Sequence, residues 1–208
     1  MAPASRPSSA HVRAKRRRRR TEILHSALRA FRARGYHTTT LEDIAAQLGI
    51  RSAALYHYFP DKDAILYACH REGLAEVERI LADALARYTT APERLHYAIR
   101  EHVRVMTDTL EGSALALEVS ALSPRRRAEV VAERDAYERG LRDIVAAGVQ
   151  SREFRAVDPK LAVFAILGAI NWVVRWYRPL PDGSTGAVGT AELGKHFADH
   201  LVHGLTPP

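Results

Sequence analysis

The sequence has one cysteine, Cys69, among 208 residues. A single thiol excludes an intramolecular disulfide, which fits a reducing cytoplasm, and we expect the protein to work there. No apolar run follows the basic N-terminal stretch, so we predict no secretory signal. The sequence also lacks a glycine-rich phosphate loop, a Gly-x-Ser-x-Gly and a His-Glu-x-x-His. We therefore predict that the protein is not an enzyme and holds no cofactor or metal.

No segment shows the alternation of a β-strand, and no internal repeat is visible. Apolar residues recur instead at intervals of three and four residues, which predicts an all-α protein of about nine helices.

Positive charge is concentrated at one end: residues 1–35 hold eleven Lys/Arg and one acid, a net +10, whereas the rest carries −3. This asymmetry indicates a polyanion partner, and a solvated basic tail without a partner is the alternative.

The stretch from Thr38 to Lys62 predicts two short helices joined by a tight turn. Thr40 and Asp43, or Thr39 and Glu42, have capping-box spacing, and Gly49 stands where a left-handed C-cap residue is needed. The apolar stripe of the first helix consists of Leu41, Ile44, Ala45 and Leu48.

The second helix of this stretch has an apolar face and a small polar and aromatic face. Leu55 and Phe59 point inward, which leaves an outer face of Ser52, Ala53, Tyr56 and His57. This arrangement is typical of a helix-turn-helix, whose second helix enters the major groove of DNA. A helical hairpin without any DNA function is the alternative.

The residues LEDIAAQLGIRSAALYHYFPDKDAIL are similar to the DNA-binding signature of TetR-family transcriptional repressors. The resemblance covers about Arg18 to Cys69. It implies a homodimer that binds a palindromic double-stranded operator and is released by a small-molecule effector. The family's recognition helix usually starts with Ser, Lys, Gly and Thr, whereas this chain has Arg51 to Ala54. Ser52 is then the candidate cap, and Arg51 the candidate positive charge.

We predict DNA contacts from the arginine run, from the threonines before the first helix of the motif, and from the second helix. Capping by the threonines and plain solvation of the lysine are the alternatives. The predicted residues are Arg16, Arg17, Arg18, Thr38, Thr39, Thr40, Arg51, Ser52, Ala53, Tyr56, His57 and Lys62.

Three divisions of the chain follow. Residues 1–17 are predicted to be a disordered basic arm, residues 18–70 a helix-turn-helix DNA-binding domain, and residues 71–208 a ligand-binding and dimerisation domain. In the last of these we expect helices at about 91–110, 113–122, 124–149, 158–178 and 190–204.

The helix predicted at 158–178 is apolar almost all round. It is short for a bilayer and contains Asn171, so we predict no membrane partner. A helix of this kind must be covered on every side, and we predict that it pairs with its copy together with the last helix. The predicted dimer residues are Phe164, Leu167, Leu193, Phe197 and Leu201.

The segment NWVVRWYRP resembles the C-terminal region of TetR-type regulators that sense acyl-CoA thioesters. An acyl chain needs an apolar slot, and CoA phosphates need arginines at its mouth. Interface packing is the alternative reading of the two tryptophans. The predicted ligand residues are Asn171, Trp172, Arg175, Trp176 and Arg178.

Four further alternatives stay open. His196, His200 and His203 share a helical face and could hold zinc, although surface or interface histidines are favoured over a metal site. Cys69 could be a redox switch, although a buried hydrophobe is favoured. The whole protein could instead be a non-specific architectural DNA binder, or a lipid- or thioester-binding helical protein with no DNA function.

Overall fold

A computed structural model describes residues 9–108, 118–177 and 188–207. Over these residues the chain forms eight α-helices, one short 3-10 helix and no β-strand. The predicted all-α class is confirmed. Most of the ninth helix, predicted at 113–122, lies outside the described residues, and its described end is a 3-10 helix, Val119–Ala121. The chain divides into two compact units, Met1–Ala68 and Cys69–Pro208.

The first unit begins with a long helix, α1, at Ser9–Arg34. The prediction of a disordered arm up to residue 17 is therefore wrong from Ser9 onward. Alanine, lysine and arginine are good helix formers, and no proline or glycine interrupts them between Ser9 and Arg34. Glu22 also pairs with Arg18 and Arg19 across one helical turn, which partly offsets the repulsion among the arginines.

Two short helices follow in the first unit, α2 at Leu41–Gln47 and α3 at Ser52–Leu55. A capping box starts α2, and Gly49 between the helices has φ +62°, a left-handed conformation that side chains disfavour. Both features are as predicted. The core of this unit is formed by the buried side chains Ile23, Leu24, Ala27, Leu28, Phe31, Ile44, Ala45, Leu55 and Phe59.

The next helix, α4 at Lys62–Arg87, starts in the first unit and continues into the second. The ammonium of Lys62 donates to the backbone carbonyls of Tyr36, His37 and Thr39, at 2.9, 3.4 and 2.8 Å. It also lies 4.4 Å from the centre of the Tyr36 ring. An ammonium has three donors, and all three are directed at carbonyls. Without DNA the ammonium of Lys62 is thus directed at backbone carbonyls, and its contact with a DNA phosphate stays a prediction.

The second unit adds four helices, α5 at Ala91–Asp108, α6 at Pro124–Gln150, α7 at Pro159–Trp176 and α8 at Thr190–His203. Proline opens α6 and α7 at the first turn, as predicted. Helix α5 packs against α8, α7 and α6. At the contact with α8 a Cβ on Gly194 would lie 2.7 Å from the Arg100 carbonyl oxygen, so only glycine permits this close approach.

Helix α7 has two apolar faces. One face, with Val163, Ile166, Ile170 and Val173, is buried in the second unit. The opposite face is exposed and includes Leu161, Phe164, Trp172 and Trp176. The helix has a mean hydropathy of 1.2 over 18 residues, so by length and composition it could also cross a membrane, and 22% of it is buried. Core helices of soluble proteins can have the same length and composition.

The Lys62 contacts predict a measurable loss of stability. Replacing Lys62 by methionine keeps the aliphatic stem but leaves the carbonyls of Tyr36 and Thr39 without their charged donor. We expect the free energy of unfolding to fall by about 2 kcal/mol, a typical value for hydrogen bonds to a charged group. Urea unfolding measures it, with the exposed Lys15→Met as the control. Equal unfolding midpoints for the two variants would contradict this role.

Candidate nucleic-acid interface and helical body

The predicted outer face is exposed except at Ser52, but α3 is shorter than predicted: it ends at Leu55, so Tyr56 and His57 lie in the turn that follows it. Arg51, Ala53 and His57 are exposed, and Tyr56 is 57% exposed, whereas Leu55 is fully buried on the opposite side. Ser52 is half-buried and is the first residue inside the helix, while Arg51 occupies the N-cap position without a side-chain cap bond. The expectation that Ser52 caps this helix is therefore wrong.

The three predicted threonines have different environments. Thr39 is 0% exposed, and its hydroxyl donates to the carbonyls of Gly35 and Ala30 at 2.8 and 3.3 Å. The prediction that Thr39 binds a phosphate is wrong, because its side chain is not at the surface. Thr38 and Thr40 are exposed and stay predicted phosphate contacts.

Thr40 is at the same time the cap of α2. Its hydroxyl accepts from the Asp43 backbone N–H at 3.1 Å, and the Asp43 carboxylate accepts from the Thr40 N–H at 2.9 Å. The hydrogen bonds that the Thr40 backbone N–H and then the Thr40 hydroxyl donate to the carboxylate lower the pKa of Asp43. The carboxylate thus stays charged at the N-terminus of α2, where the helix dipole favours it.

Two arginines of α1 hold the turn that follows α3. Arg16 donates to the carbonyl of His57 at 3.4 Å, and Arg20 donates to the carbonyl of Tyr58 at 3.3 Å. The Arg20 guanidinium also lies 4.2 Å from the centre of the Phe59 ring. Arg16 and Arg20 are one helical turn apart on α1, so they form a clamp on the C-terminal end of the recognition helix. Sequence reasoning assigned Arg16 to phosphates and did not find this role.

Two other arginines of the run, Arg17 and Arg18, face outward, whereas Arg19 is half-buried. Arg17 is exposed, and Arg18 keeps 85% of its side chain exposed while it contacts Glu22 at 3.2 Å. The hydrogen bond from Arg19 is the largest cause of a lowered pKa at Glu22. Arg17 and Arg18 are thus the predicted members of the run that stay available to a phosphate backbone.

The predicted ligand residues lie on the outer side of α7. Trp172 is 63% exposed, and Asn171, Arg175 and Trp176 are also exposed. Arg178 lies outside the described residues. Whether these exposed side chains contact a ligand or a second copy stays a prediction.

The predicted dimer residues divide into three groups. Phe164 is exposed, and Leu167, Phe197 and Leu201 are half-buried, so all four reach the surface. Leu193 is only 7% exposed because α8 packs it inside its own protomer. The prediction for Leu193 is therefore wrong: it belongs to the core of the second unit.

The structure bears on the alternative roles of Cys69 and of the three histidines on α8. Cys69 is fully buried, which confirms the interpretation as a small buried hydrophobe. His196, His200 and His203 are exposed on α8. In the parts of the chain that the structure describes, no three His, Cys, Asp or Glu side chains come together as metal ligands.

Two buried histidines escaped the sequence analysis. The Nδ1 atom of His102 lies 3.0 Å from the Tyr137 hydroxyl, and burial lowers the pKa of His102 to about 4, with the Asn171 side chain acting in the opposite direction. Burial, reinforced by the charge of Arg134, lowers the pKa of His70 to about 3. The only signal in the sequence was a polar residue within an apolar helical stripe.

Comparison with known proteins identifies the family. Residues 23–69 match the family described as bacterial regulatory proteins, tetR family, and residues 88–205 match the tetracyclin repressor-like C-terminal domain. Over 204 residues the chain is 32% identical to the HTH-type transcriptional repressor KstR2 of Rhodococcus jostii (strain RHA1), covering 91% of this chain and 92% of that protein. The chain belongs to the TetR family of transcriptional regulators.

Other TetR-family relatives support the same assignment. The fatty acid metabolism regulator protein of Bacillus subtilis (strain 168) is 26% identical over 157 residues, covering 74% of this chain and 80% of that protein. A crystal structure of AibR in complex with isovaleryl coenzyme A and operator DNA has a TM-score of 0.78 at 27% identity, covering 91% of this chain and 99% of that chain. The predicted TetR resemblance is confirmed.

The arginine clamp predicts that two arginines of this TetR-family head act differently on DNA binding. Arg17→Ala should remove one counterion from the salt dependence and lower its slope by roughly 0.9 on promoter and random duplexes alike. Arg20→Ala should keep the slope but reduce the preference for the promoter duplex about 10-fold, because it releases the recognition turn.

Fluorescence anisotropy between 50 and 200 mM salt, a range in which phosphate contacts change affinity strongly, measures both quantities. The promoter duplex is first defined by footprinting. A loss of slope in Arg20→Ala, with an unchanged preference, would show that Arg20 binds a phosphate instead.

Proposed function

We propose that the protein is a homodimeric transcriptional repressor that binds a palindromic DNA operator and is released by an acyl-CoA thioester. The observation that carries the DNA-binding part is the exposed surface that Ala53 of α3 forms with the flanking residues Arg51, Tyr56 and His57 in a TetR-family chain. These side chains offer hydrogen-bond donors and acceptors to base edges in the major groove. Arg17 and Arg18 on α1, with Thr38 and Thr40, would contact phosphates and so fix the register.

The exposed face of α7 supports the homodimer. A continuous apolar surface of this kind is unusual on a soluble monomer and marks an interaction site. We assign it to a second copy, with Phe164 and Leu167 from α7 and Phe197 and Leu201 from α8. A twofold pair would place two recognition helices on successive half-sites of a palindrome. The same pairing would cover the helix whose composition resembles a membrane span, in a protein that works on cytoplasmic DNA.

The relatives support an acyl-CoA as the effector class. AibR was crystallised with isovaleryl coenzyme A and operator DNA, and the Bacillus subtilis relative is named for fatty acid metabolism. Arg175, exposed on α7, would supply a cation for a CoA phosphate, whereas the acyl chain needs an apolar slot elsewhere in the second unit. The effector would release the operator by binding the DNA-free arrangement more tightly than the DNA-bound one.

The dimer proposal predicts the effect of a charge at Phe164, which is 51% exposed. Phe164→Asp would bury an unpaired carboxylate at the twofold contact, so we expect monomers at micromolar concentration in sedimentation velocity. Operator affinity should fall on the order of 100-fold, because the two heads no longer bind as a linked pair. Val131→Asp on α6, where Val131 is 42% exposed, is the matched control. A Phe164→Asp variant that stays dimeric would refute the interface.

The effector proposal predicts that thioesters, but not free acids or CoA alone, raise the melting temperature and dissociate the operator complex. An acyl-CoA series from acetyl to octanoyl tests the chain length. Arg175→Gln should raise the concentration needed for release about 10-fold, because a phosphate loses a charged partner. Arg139→Gln at an exposed position of α6 is the control. The assignment of the effector to the acyl-CoA thioesters is wrong if every thioester leaves the operator complex intact.

A further inference from the structure

We propose that His70 is a recognition site, inside the second unit, for a carbonyl oxygen of the effector's acyl part. The proposal rests on the effector response argued above and names a residue for it. His70 lies on α4 and is 0% exposed. Its Nδ1 atom is 3.5 Å from a guanidinium nitrogen of Arg134 on α6, so both helices enclose the ring.

The position of Arg134 decides which ring nitrogen of His70 carries the proton. A guanidinium only donates hydrogen bonds, so the Nδ1 atom facing it must act as acceptor. The pKa of His70 is lowered to about 3, so the imidazole is neutral near pH 7. A neutral imidazole has one N–H, and it must then be at Nε2. His70 thus presents a hydrogen-bond donor at Nε2.

This donor has no hydrogen-bond partner within the described residues. A buried N–H without an acceptor destabilises the folded protein, and native structures contain few of them. The Nε2 atom of His102 also has no hydrogen-bond partner within the described residues, but the Asn171 side chain acts on that ring. No such side chain acts on the His70 ring apart from Arg134, which faces Nδ1. An apolar residue would avoid the cost at His70, so the histidine is better explained by an acceptor that an effector supplies.

The surroundings define the chemistry of that acceptor. Leu74 and Val77, one and two turns further along α4, are buried and apolar, as is Val130 one turn before Arg134 on α6. An oxygen received here must therefore belong to a largely apolar group. A thioester or keto carbonyl on an acyl chain fits this requirement, since it accepts a hydrogen bond and brings no charge into the interior. The positive charge of Arg134 would further favour the partial negative charge of such an oxygen.

The enclosure of His70 between α4 and α6 would let an effector regulate the arrangement of these helices. His70 is enclosed, and the neighbouring ion pair of Arg71 with Glu133 joins α4 to α6. An acyl group can reach Nε2 only if these helices separate, so it binds the separated arrangement and not the closed one. Such a ligand shifts the equilibrium by its differential affinity. The helix that must move, α4, is the helix that begins at Lys62 in the DNA-binding head.

Two substitutions in the full-length chain test the proposal. His70→Leu removes the donor, and His70→Gln keeps an amide N–H. With isovaleryl-CoA as the probe, His70→Leu should need at least about 10-fold more ligand than wild type to release the operator, and His70→Gln should fall between them. Operator affinity without ligand should be equal in all three. Without ligand, the melting temperature of His70→Leu should match or exceed that of wild type, because a buried unsatisfied donor is gone.

Nitrogen NMR of the His70 ring separates this proposal from the effector class. The ligand-free protein should show the Nε2–H tautomer, and isovaleryl-CoA should shift the Nε2 signal. If wild type and His70→Leu release the operator at equal ligand concentrations, the His70 site is wrong and the effector class still stands.

The opposite result is a shift of Nε2 by isovaleryl-CoA while no thioester releases the operator. It would keep the site and reject the thioester class. A proton on Nδ1, a lower melting temperature of His70→Leu, or an Nε2 signal that isovaleryl-CoA, isovalerate and CoA all leave unmoved would overturn the site.

Discussion

The DNA-binding head depends on cations that bind backbone carbonyls. The ammonium of Lys62 binds the carbonyls of Tyr36, His37 and Thr39, and so fixes the start of α4 against the link between α1 and α2. Arg16 and Arg20 do the same for the turn after α3. The recognition helix has only four residues, too few to be stable alone, so its position is set by these contacts and by the burial of Leu55 and Phe59. Positive charge therefore has two uses here, because the inward cations hold the head together and the outward ones can attract a polyanion.

The two apolar faces of α7 also have different uses. Its buried face with Val163, Ile166, Ile170 and Val173 belongs to the core of the second unit, while its other face keeps large apolar side chains in water. Exposing Phe164 and Trp172 has no benefit for a single protomer, since burial of each would contribute roughly 2 kcal/mol. The free energy that the protomer does not gain is available for association with a second copy. A head that reads one half-site weakly can then bind a palindrome tightly, because two linked heads bind together.

Local patterns in the sequence predicted much of this structure. The helical period, the capping box of Thr40 with Asp43, the left-handed Gly49 and the outward face of α3 depend on neighbours a few residues apart, so the sequence displays them directly. The failures concern contacts between distant segments. Thr39 carries a group that suits phosphates, yet the fold buries it against carbonyls. Leu193 fits an exposed stripe, yet α5 covers its helix. The basic run was predicted to be disordered from its charge and its Pro- and Ser-rich flank. It forms a helix because it has strong helix formers and no breaker.

The buried polar groups show why the proposed effector site was the hardest part to predict. A sequence does not show whether a polar residue in an apolar stripe has a partner, because the partner comes from another helix. His102 finds Tyr137, whereas one side of His70 faces no acceptor within the described residues. Natural proteins depart from ideal packing mainly where function needs it. Such a departure suits a regulator, because a hydrogen bond made only after α4 and α6 separate adds nothing to the affinity for the closed state. All of the free energy of this hydrogen bond then contributes to the difference in effector affinity between the separated and the closed arrangement. This difference limits how far an effector can shift the equilibrium between them.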